Sequence, residues 1–465
     1  MSRHVVGYRI LFALVVVGIV LGGVSGVNAQ DTSDDDNSPQ LAGVFVDADG
    51  VLRKRVIADP GGLLMRERIL AARAALDPNV AASSKLRKIS LNRLEAALQH
   101  NQGVPTDTMR YLAGLQRVQY VFYYPESKDI VIAGPAQGWI VDPSERVVGI
   151  HNGRPTLQLQ DLVVALRAFP PDGKETSLIA CSIDPTQEGL ARFQQFNREM
   201  TALFARNPNV PVEDIVAGTR ESLGKQNVSI TGVSPETHFA HVLVEADYRM
   251  KLIGLGLENP PIRLASYADR ASRSRVASNA MQRWYFLPDY QCVRVADDGL
   301  AAELVGDGVK LIGADEMVTS DGTRKKAARG NRASRLFVND FTMKYSQLAA
   351  RSPVFAELRN VIDLSVAAAL IQREGYYERS GWDLGILGDE KAFKVETYAP
   401  PKQVETAVGA RRKGNTIMTP VGGGVHIEAS MALDSENVLT DGTAQVEKVR
   451  QQVAPKLAEG QWWWD

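Results

Sequence analysis

Two cysteines in 465 residues, Cys181 and Cys292, are too few for a disulfide scaffold or a cysteine-based zinc site. Neither charge sign is in excess: the net charge is −1 and the isoelectric point about 6.6, which speaks against a dedicated nucleic-acid binder. Catalytic signatures are equally scarce. Beyond the first 30 residues there is no G-x-S-x-G elbow and no G-x-x-x-x-G-K-[ST] phosphate loop. Gly254 and Gly256 end an apolar periodic run instead of opening one. Ser222 and Lys225 match S-x-x-K but lack its companion motifs. Long apolar runs are missing from the interior too. The best candidate, 353–372, carries Glu357, Arg359 and Asp363, charges that are costly at bilayer depth, so it reads as a buried helix.

The N-terminus is different. Arg3 and Arg9 precede an apolar stretch from Ile10 to Val20, and Val27-Asn28-Ala29 supplies small residues around a cleavage site. This is the grammar of a signal peptide over 1–29, which predicts an exported protein, periplasmic or secreted, with no transmembrane span in the mature chain. Residues 30–40, QDTSDDDNSPQ, read as an acidic disordered spacer.

Along the rest, two alternating runs around Asp49-Gly50 predict a hairpin over 42–57. Asp47 and Asp49 resemble the start of a calcium loop, but the distal ligands are missing. Helical periodicity covers 63–76 and 85–98, and strands are expected at RVQYVFYYP, DIVIAGP and GWIVD. SLIACSI and VSITGV are each followed by a proline-marked helix start, the pattern of a crossover α/β unit. Ser352-Pro353 opens a further helix in the same way. A polar, proline-marked stretch at 259–280 separates an N-terminal α/β domain (41–258) from a C-terminal α+β domain (281–430). TIMTPVGGGVHIEASM reads as a hairpin, and 431–465 as a polar helical tail with a Trp-rich end. The expected class is α/β, with α+β the alternative: two packed domains with mixed sheets and crossover helices.

Several of these strings, among them VQYVFYYPESKDIVIAGPAQGW, CSIDPTQEGL, HFAHVLVEADYRMKLIGLGLE and WYFLPDYQCVRVADDGL, resemble a planctomycete family of exported proteins known as domain of unknown function 1598. The resemblance implies export and carries no activity or functional residues.

In THFAHVLVE, at about 100° per residue, His238, His241 and Glu245 share a helical arc beside the apolar stripe Phe239, Val242, Leu243, Ala246, Met250. Three such groups can hold zinc, although the order is not H-E-x-x-H. The plainer expectation is a helix flank with i, i+4 ion pairs Glu245–Arg249 and Asp247–Lys251. Arg324, Lys325, Lys326, Arg329, Arg332 and Arg335 form the one dense basic run, either a solvated loop or a patch for an anionic partner such as an envelope polymer or a protein's acidic face. Gly422-Gly423-Gly424 suit a turn or an anion nest, and His426 beyond them has no evident acid partner. Cys181 and Cys292 either remain buried thiols or pair, closing a loop of about 110 residues worth ~4–5 kcal/mol in the chain-entropy model. The adjacent Trp462, Trp463 and Trp464 cannot all face one side of an element. They therefore either fold back into a groove or dock on a partner. Taken together the sequence favours an uncharacterised exported protein with a binding or structural role in the cell envelope over its alternative, a metal-assisted hydrolase using His238, His241 and Glu245.

Overall fold

The computed structural model describes residues 41–207, 209–271, 280–327, 331–409 and 421–465. The leader, the acidic spacer and Arg329 lie outside the described residues. Those described belong to one compact unit, Pro39–Asp465.

In chain order the strands are β1 (Leu41–Val46), β2 (Val51–Ile57), β3 (Ser84–Ser90), β4 (Tyr120–Tyr124), β5 (Asp129–Ala136), β6 (Trp139–Val141), β7 (Val147–Gly149), β8 (Ile179–Asp184) and β9 (Gln226–Thr231). They continue as β10 (Ala280–Pro288), β11 (Val293–Val295), β12 (Ala301–Leu304), β13 (Val309–Val318), β14 (Arg324–Lys326), β15 (Gln403–Val404), β16 (Val421–Ile427), β17 (Leu439–Thr440) and β18 (Trp463–Trp464). The longer helices are α1 (Leu63–Ala75), α2 (Leu91–His100), α3 (Leu159–Ala168), α4 (Gln187–Arg206), α5 (Val212–Leu223), α6 (His238–Leu255), α7 (Arg332–Met343), α8 (Pro353–Arg373) and α9 (Gln445–Gln452).

The fold is α/β with mixed sheets. The larger sheet runs β1-β2-β15-β9-β8-β16-β10-β13-β14 and the second β17-β11-β12-β4-β5-β3-β18, while β6 and β7 form a separate ribbon. Most neighbours are antiparallel, but β2/β15, β10/β16 and β11/β17 are parallel. One continuous apolar core joins a face of each large sheet to α3, α6 and α8. The opposite faces have covers of their own: α4 and α5 on the first sheet through Leu190, Phe193 and Leu223, and α9 on the second through Val446.

Local chemistry explains where the helices start. Ser352 precedes Pro353 at the head of α8, where the missing N–H leaves no unpaired donor. Thr186 Oγ1 accepts from Gly189 N at 2.9 Å, and Thr237 Oγ1 from Ala240 N at 3.2 Å. The caps of α4 and α6 are therefore the threonines, each standing after the proline that marked the turn. The stretch 353–372 is the buried helix expected of it: all but four residues of α8 are buried, and its Glu357 and Asp363 pair with Arg146 and Arg117. Among the described residues no helix is long and apolar enough to cross a membrane.

Four expectations change. Residues 85–90 form a strand, because Ser90 caps α2 by accepting from Arg93 N and delays the helix to Leu91. The β8–β9 unit is antiparallel, not a parallel crossover: α4 and α5 form a helical hairpin that returns the chain to the end where β8 stopped. The stretch 259–280 divides no sheet, since both large sheets take strands from either side of it. Residues 421–427 are no hairpin arm but an interior strand, parallel to β10 and antiparallel to β8. Its three glycines allow close approach: a Cβ on Gly423, whose φ is +122°, would sit 1.9 Å from Trp284 O, and one on Gly424 1.8 Å from Cys181 O.

Of the two alternatives for the Trp-rich end, the structure shows the first: it docks on its own chain. β18 pairs antiparallel with β3 at the edge of the second sheet, Trp462 is buried, and Arg87 holds Asp465 by two bonds of 2.9 and 2.7 Å. Strand pairing here covers an edge that is otherwise left open. No disulfide joins the cysteines, which are free and buried: Cys181 lies in β8 of one sheet and Cys292 just ahead of β11 in the other.

Candidate functional site

Two helix starts meet at one cleft. Gln158 precedes α3, whose first turn carries Asp161, and Thr237 caps α6, whose first residue is His238. His238 Nδ1 lies 2.9 and 3.0 Å from the Asp161 carboxylate oxygens, and its Nε2 3.4 Å from Gln158 Nε2. The Asp161 contact places a proton on Nδ1 and orients Nε2 toward Gln158. Burial works against the charged imidazole, yet Asp161 outweighs it and raises the His238 pKa. His241, one turn on, has its pKa lowered by burial.

Behind His238 runs a buried chain of charges. Arg146, at the turn of the β6–β7 ribbon, bonds to both oxygens of Glu245 and to Glu357. The turn is built by Asp142, whose Oδ1 accepts from Ser144 N at 2.8 Å and Arg146 N at 3.0 Å. Burial disfavours the charge on Arg146, but Glu245 and Glu357 reverse the effect and raise its pKa. Burial also pushes Glu357 up, against the pull of Arg146. Arg249 bridges Glu245 to Glu258, which in turn meets Lys54 of β2 at 2.9 Å.

A cavity of about 780 Å³ opens over this chain, with Arg110, Tyr111, Val141, Arg146, His238 and Tyr398 among its walls. Its far wall is the irregular segment 391–398, pinned by the Arg167 bond to Phe393 O at 2.7 Å and by Tyr398 N donating to Glu236 O at 2.8 Å. The Tyr398 ring lies 5.9 Å from that of His238 and 5.4 Å from that of His241, and burial pushes its hydroxyl up to about 12. Gln160 Nε2 donates to Tyr398 Oη at 3.1 Å, and Arg110 meets Glu396 at 2.7 Å. The volume suits a drug-sized ligand. Most of the ionisable groups around it already hold one another.

The metal set is not assembled. His238 and Glu245 turn to Asp161 and to two arginines, His241 lies against Tyr398, and no group of three metal-holding side chains occurs among the described residues. These residues do not fit a zinc ion. Both ion pairs expected on the helix do form, Glu245–Arg249 at 3.5 Å and Asp247–Lys251 at 2.8 Å. Ser222 Oγ donates to Gly218 O at 2.6 Å, a helix-internal bond, and has no base beside it in that contact. The His426 ring lies 4.8 Å from that of Tyr285, tilted by 43°. In the basic run, Arg324 reaches Asp184 at 3.4 Å, whereas Lys325, Lys326, Arg332 and Arg335 are exposed. Asp161, Arg146, Glu357 and Tyr398 were not visible as site residues in the sequence. Only the acidic position in the first turn of α3 gave a local signal, and it is a common helix-start preference.

A family model described as protein of unknown function (DUF1598) matches residues 181–267, from β8 through α6 and just beyond. The match takes in His238, His241, Glu245 and the Asp247–Lys251 pair, and leaves out Asp161, Arg146 and Tyr398. No curated protein matches the chain, and no solved structure does.

Proposed function

We propose that this is a binding protein of the cell envelope, exported as its planctomycete resemblance implies, and that the cleft over His238 holds its ligand. The leader-like residues 1–29 support export. The observation that carries binding is the cavity of about 780 Å³ whose Arg110 and Arg146 are held by Glu396 and Glu245, with its histidine seated on an aspartate. Side chains held in this way are preorganised, which lowers the ordering cost of binding a ligand. The exposed bases Lys325, Lys326, Arg332 and Arg335 offer a second contact for an anionic envelope polymer or an acidic protein face.

The test is calorimetric titration with soluble envelope fragments: neutral oligosaccharides, acidic oligosaccharides and muropeptides. Binding of one class that is lost in Tyr398→Ala and retained in Lys325→Ala/Lys326→Ala supports the cleft. Binding unaffected by Tyr398→Ala removes it.

One observation favours a second reading, hydrolysis. Asp161 orients His238 as an orienting carboxylate orients a general base. Turnover of p-nitrophenyl esters that disappears in His238→Gln would establish it. The metal-assisted form draws no support from this geometry, because Glu245 is already held by Arg146 and Arg249.

A further inference from the structure

On α8 Arg359 and Asp363 stand one turn apart, the spacing at which an arginine and a carboxylate pair. They do not pair here. Arg117, three residues ahead of β4, takes Asp363 instead, Nε to Oδ2 at 2.8 Å. Arg359 is left without an ion pair among the described residues, and its Nε is buried with no acceptor. Nη2 of Arg117 is buried without an acceptor as well. Burial, and after it Arg117, lower the Arg359 pKa by more than Asp363 raises it.

A third guanidinium and a loop complete the surroundings. Arg154 follows β7 in a turn closed by Gly149 N donating to Arg154 O at 2.8 Å. Gln116 Nε2, one residue before Arg117, donates to the same carbonyl at 3.0 Å. The Arg154 side chain acts on Arg359 as a like charge. The loop between β12 and β13 closes over the group. Its Gly308 has φ +69°, and a Cβ there would lie 3.0 Å from Asp363 Oδ1 and 3.8 Å from both Arg117 Nη2 and Arg359 Cγ. One point thus touches all three side chains, and a glycine keeps it free of a fourth. Asp307, beside it, adds a second negative charge at longer range. The Cys292 thiol stays neutral, since burial pushes it up to about 12. Three guanidiniums therefore face two carboxylates. Arg359 is half-buried and Arg154 exposed, so the group opens to solvent on their side.

We propose that Arg117, Arg154 and Arg359 hold an oxyanion, the carboxylate or phosphoryl group of a ligand. Arginine keeps its proton in proteins, so burial gives the group no way to shed its surplus charge. An uncompensated charge removed from water is costly, and the planar guanidinium fork matches a carboxylate or phosphate. One anion brings the group to neutrality and supplies Arg359 with the acceptor it lacks. This site is separate from the His238 cleft. At 100° per residue Arg359 and Asp363 lie about 200° and 240° round α8 from Glu357, which faces Arg146 and His238.

The test is the melting temperature of the protein titrated with sodium phosphate, and separately with sodium acetate, against sodium chloride at equal ionic strength. Phosphate stabilises many proteins by exclusion from their surfaces, so the reading is the difference between parent and variant. Arg359→Gln should match or exceed the parent's melting temperature in chloride, because the arginine it removes has no partner to lose. In phosphate or acetate the parent should gain more than this variant, whose apparent affinity falls about tenfold. Arg154→Gln, an exposed position, should lose a smaller part of the gain. Lys325→Gln/Lys326→Gln, on exposed β14, should respond like the parent. A larger gain in phosphate assigns a phosphoryl group to the ligand, and a larger gain in acetate a carboxylate. Two results overturn the proposal. One is an equal gain in the parent and Arg359→Gln. The other is a variant less stable than the parent in chloride alone, which would show that Arg359 already has a partner within the protein.

Discussion

Lys251 Nζ donates to Asp247 Oδ2 across 2.8 Å, one turn apart on α6, where neither side chain reaches solvent. The same ammonium donates to Ile183 O at 2.7 Å and Gly423 O at 3.2 Å, tying the helix to the two strands beneath it. Breaking a buried pair leaves a charge without compensation, while replacing both partners by apolar groups does not. Lys251→Met is therefore expected to cost about 3–5 kcal/mol, and Asp247→Leu/Lys251→Met to recover much of that loss. Denaturant unfolding of the three proteins decides it. A double variant no more stable than the single contradicts the account.

The same pair sets a pH dependence. Burial pushes the Asp247 carboxyl up to about 6 against the pull of Lys251. The folded protein thus holds this proton more tightly than the unfolded chain, whose value is near 4. The stability it contributes is full below about pH 4 and is lost as pH rises through about 6. The stability of the parent relative to Asp247→Asn should decline across that window and then level. A flat difference contradicts the assignment.

Removing residues 461–465 should destabilise the fold without altering association. The deletion uncovers the β3 edge, exposes the face shared by Arg87 and Trp463, whose guanidinium and ring lie 4.7 Å apart, and takes Asp465 from a fully buried arginine. Arg87 keeps its bonds to Val80 O and Ala113 O, so the expected loss is about 3–5 kcal/mol, the scale for stripping a buried charge of its partner. Calorimetry should show the lower melting temperature and sedimentation an unchanged mass. A stable truncated protein that no longer associates would place the tryptophans on a partner.

Gly423→Ala tests the glycine run. Its φ of +122° is strained for any side chain, and the new Cβ would meet Trp284 O, N and C, backbone atoms that cannot rotate away. The expected loss is about 3 kcal/mol or more. Gly442→Ala serves as the comparison, because nothing lies within 4 Å of a Cβ there. Equal stability of the two variants rules out the close-approach explanation.

What was legible in the sequence follows the range of each interaction. The hairpin at Asp49-Gly50, the i, i+4 pairs on α6 and the buried character of 353–372 depend on neighbours a few residues away. All of these were readable. The GGG strand was mistaken for a turn because glycine marks close backbone approach as well as chain reversal, and local sequence does not say which. The site was the least readable. Arg146 meets Glu245 and Glu357 across 99 and 211 residues, and Arg87 meets Asp465 across 378. No spacing rule reaches that far. His238 was noticed for the company of His241, whereas its partner is Asp161, 77 residues upstream.

The cysteines should behave as two inert thiols. Burial pushes Cys292 up to about 12 and raises Cys181 well above the ordinary range, so little thiolate forms at neutral pH. A thiol-titrating disulfide reagent should count none in the native protein and two after unfolding. Reductant should leave the melting temperature unchanged. A reductant-sensitive melting temperature would show a bridge between Cys181 and Cys292.

His238 gives the cleft its own titration. Its pKa is raised, burial notwithstanding, by Asp161. A histidine whose folded pKa lies above its unfolded value near 6.5 contributes stability that is full below that value. The contribution disappears as pH rises through the folded pKa. Asp161→Asn removes the charge that outweighs burial, so the His238 pKa should fall below 6.5, as burial alone already lowers that of His241. NMR titration of the imidazole Cε1–H resonances reads both histidines in one experiment. In the parent protein His238 titrates above 6.5 and His241 below it. In Asp161→Asn the two move together on the low side. If His238 keeps its high value there, Asp161 is not its charge partner and the cleft histidine is set by another group, Glu357 being the next acid that acts on it.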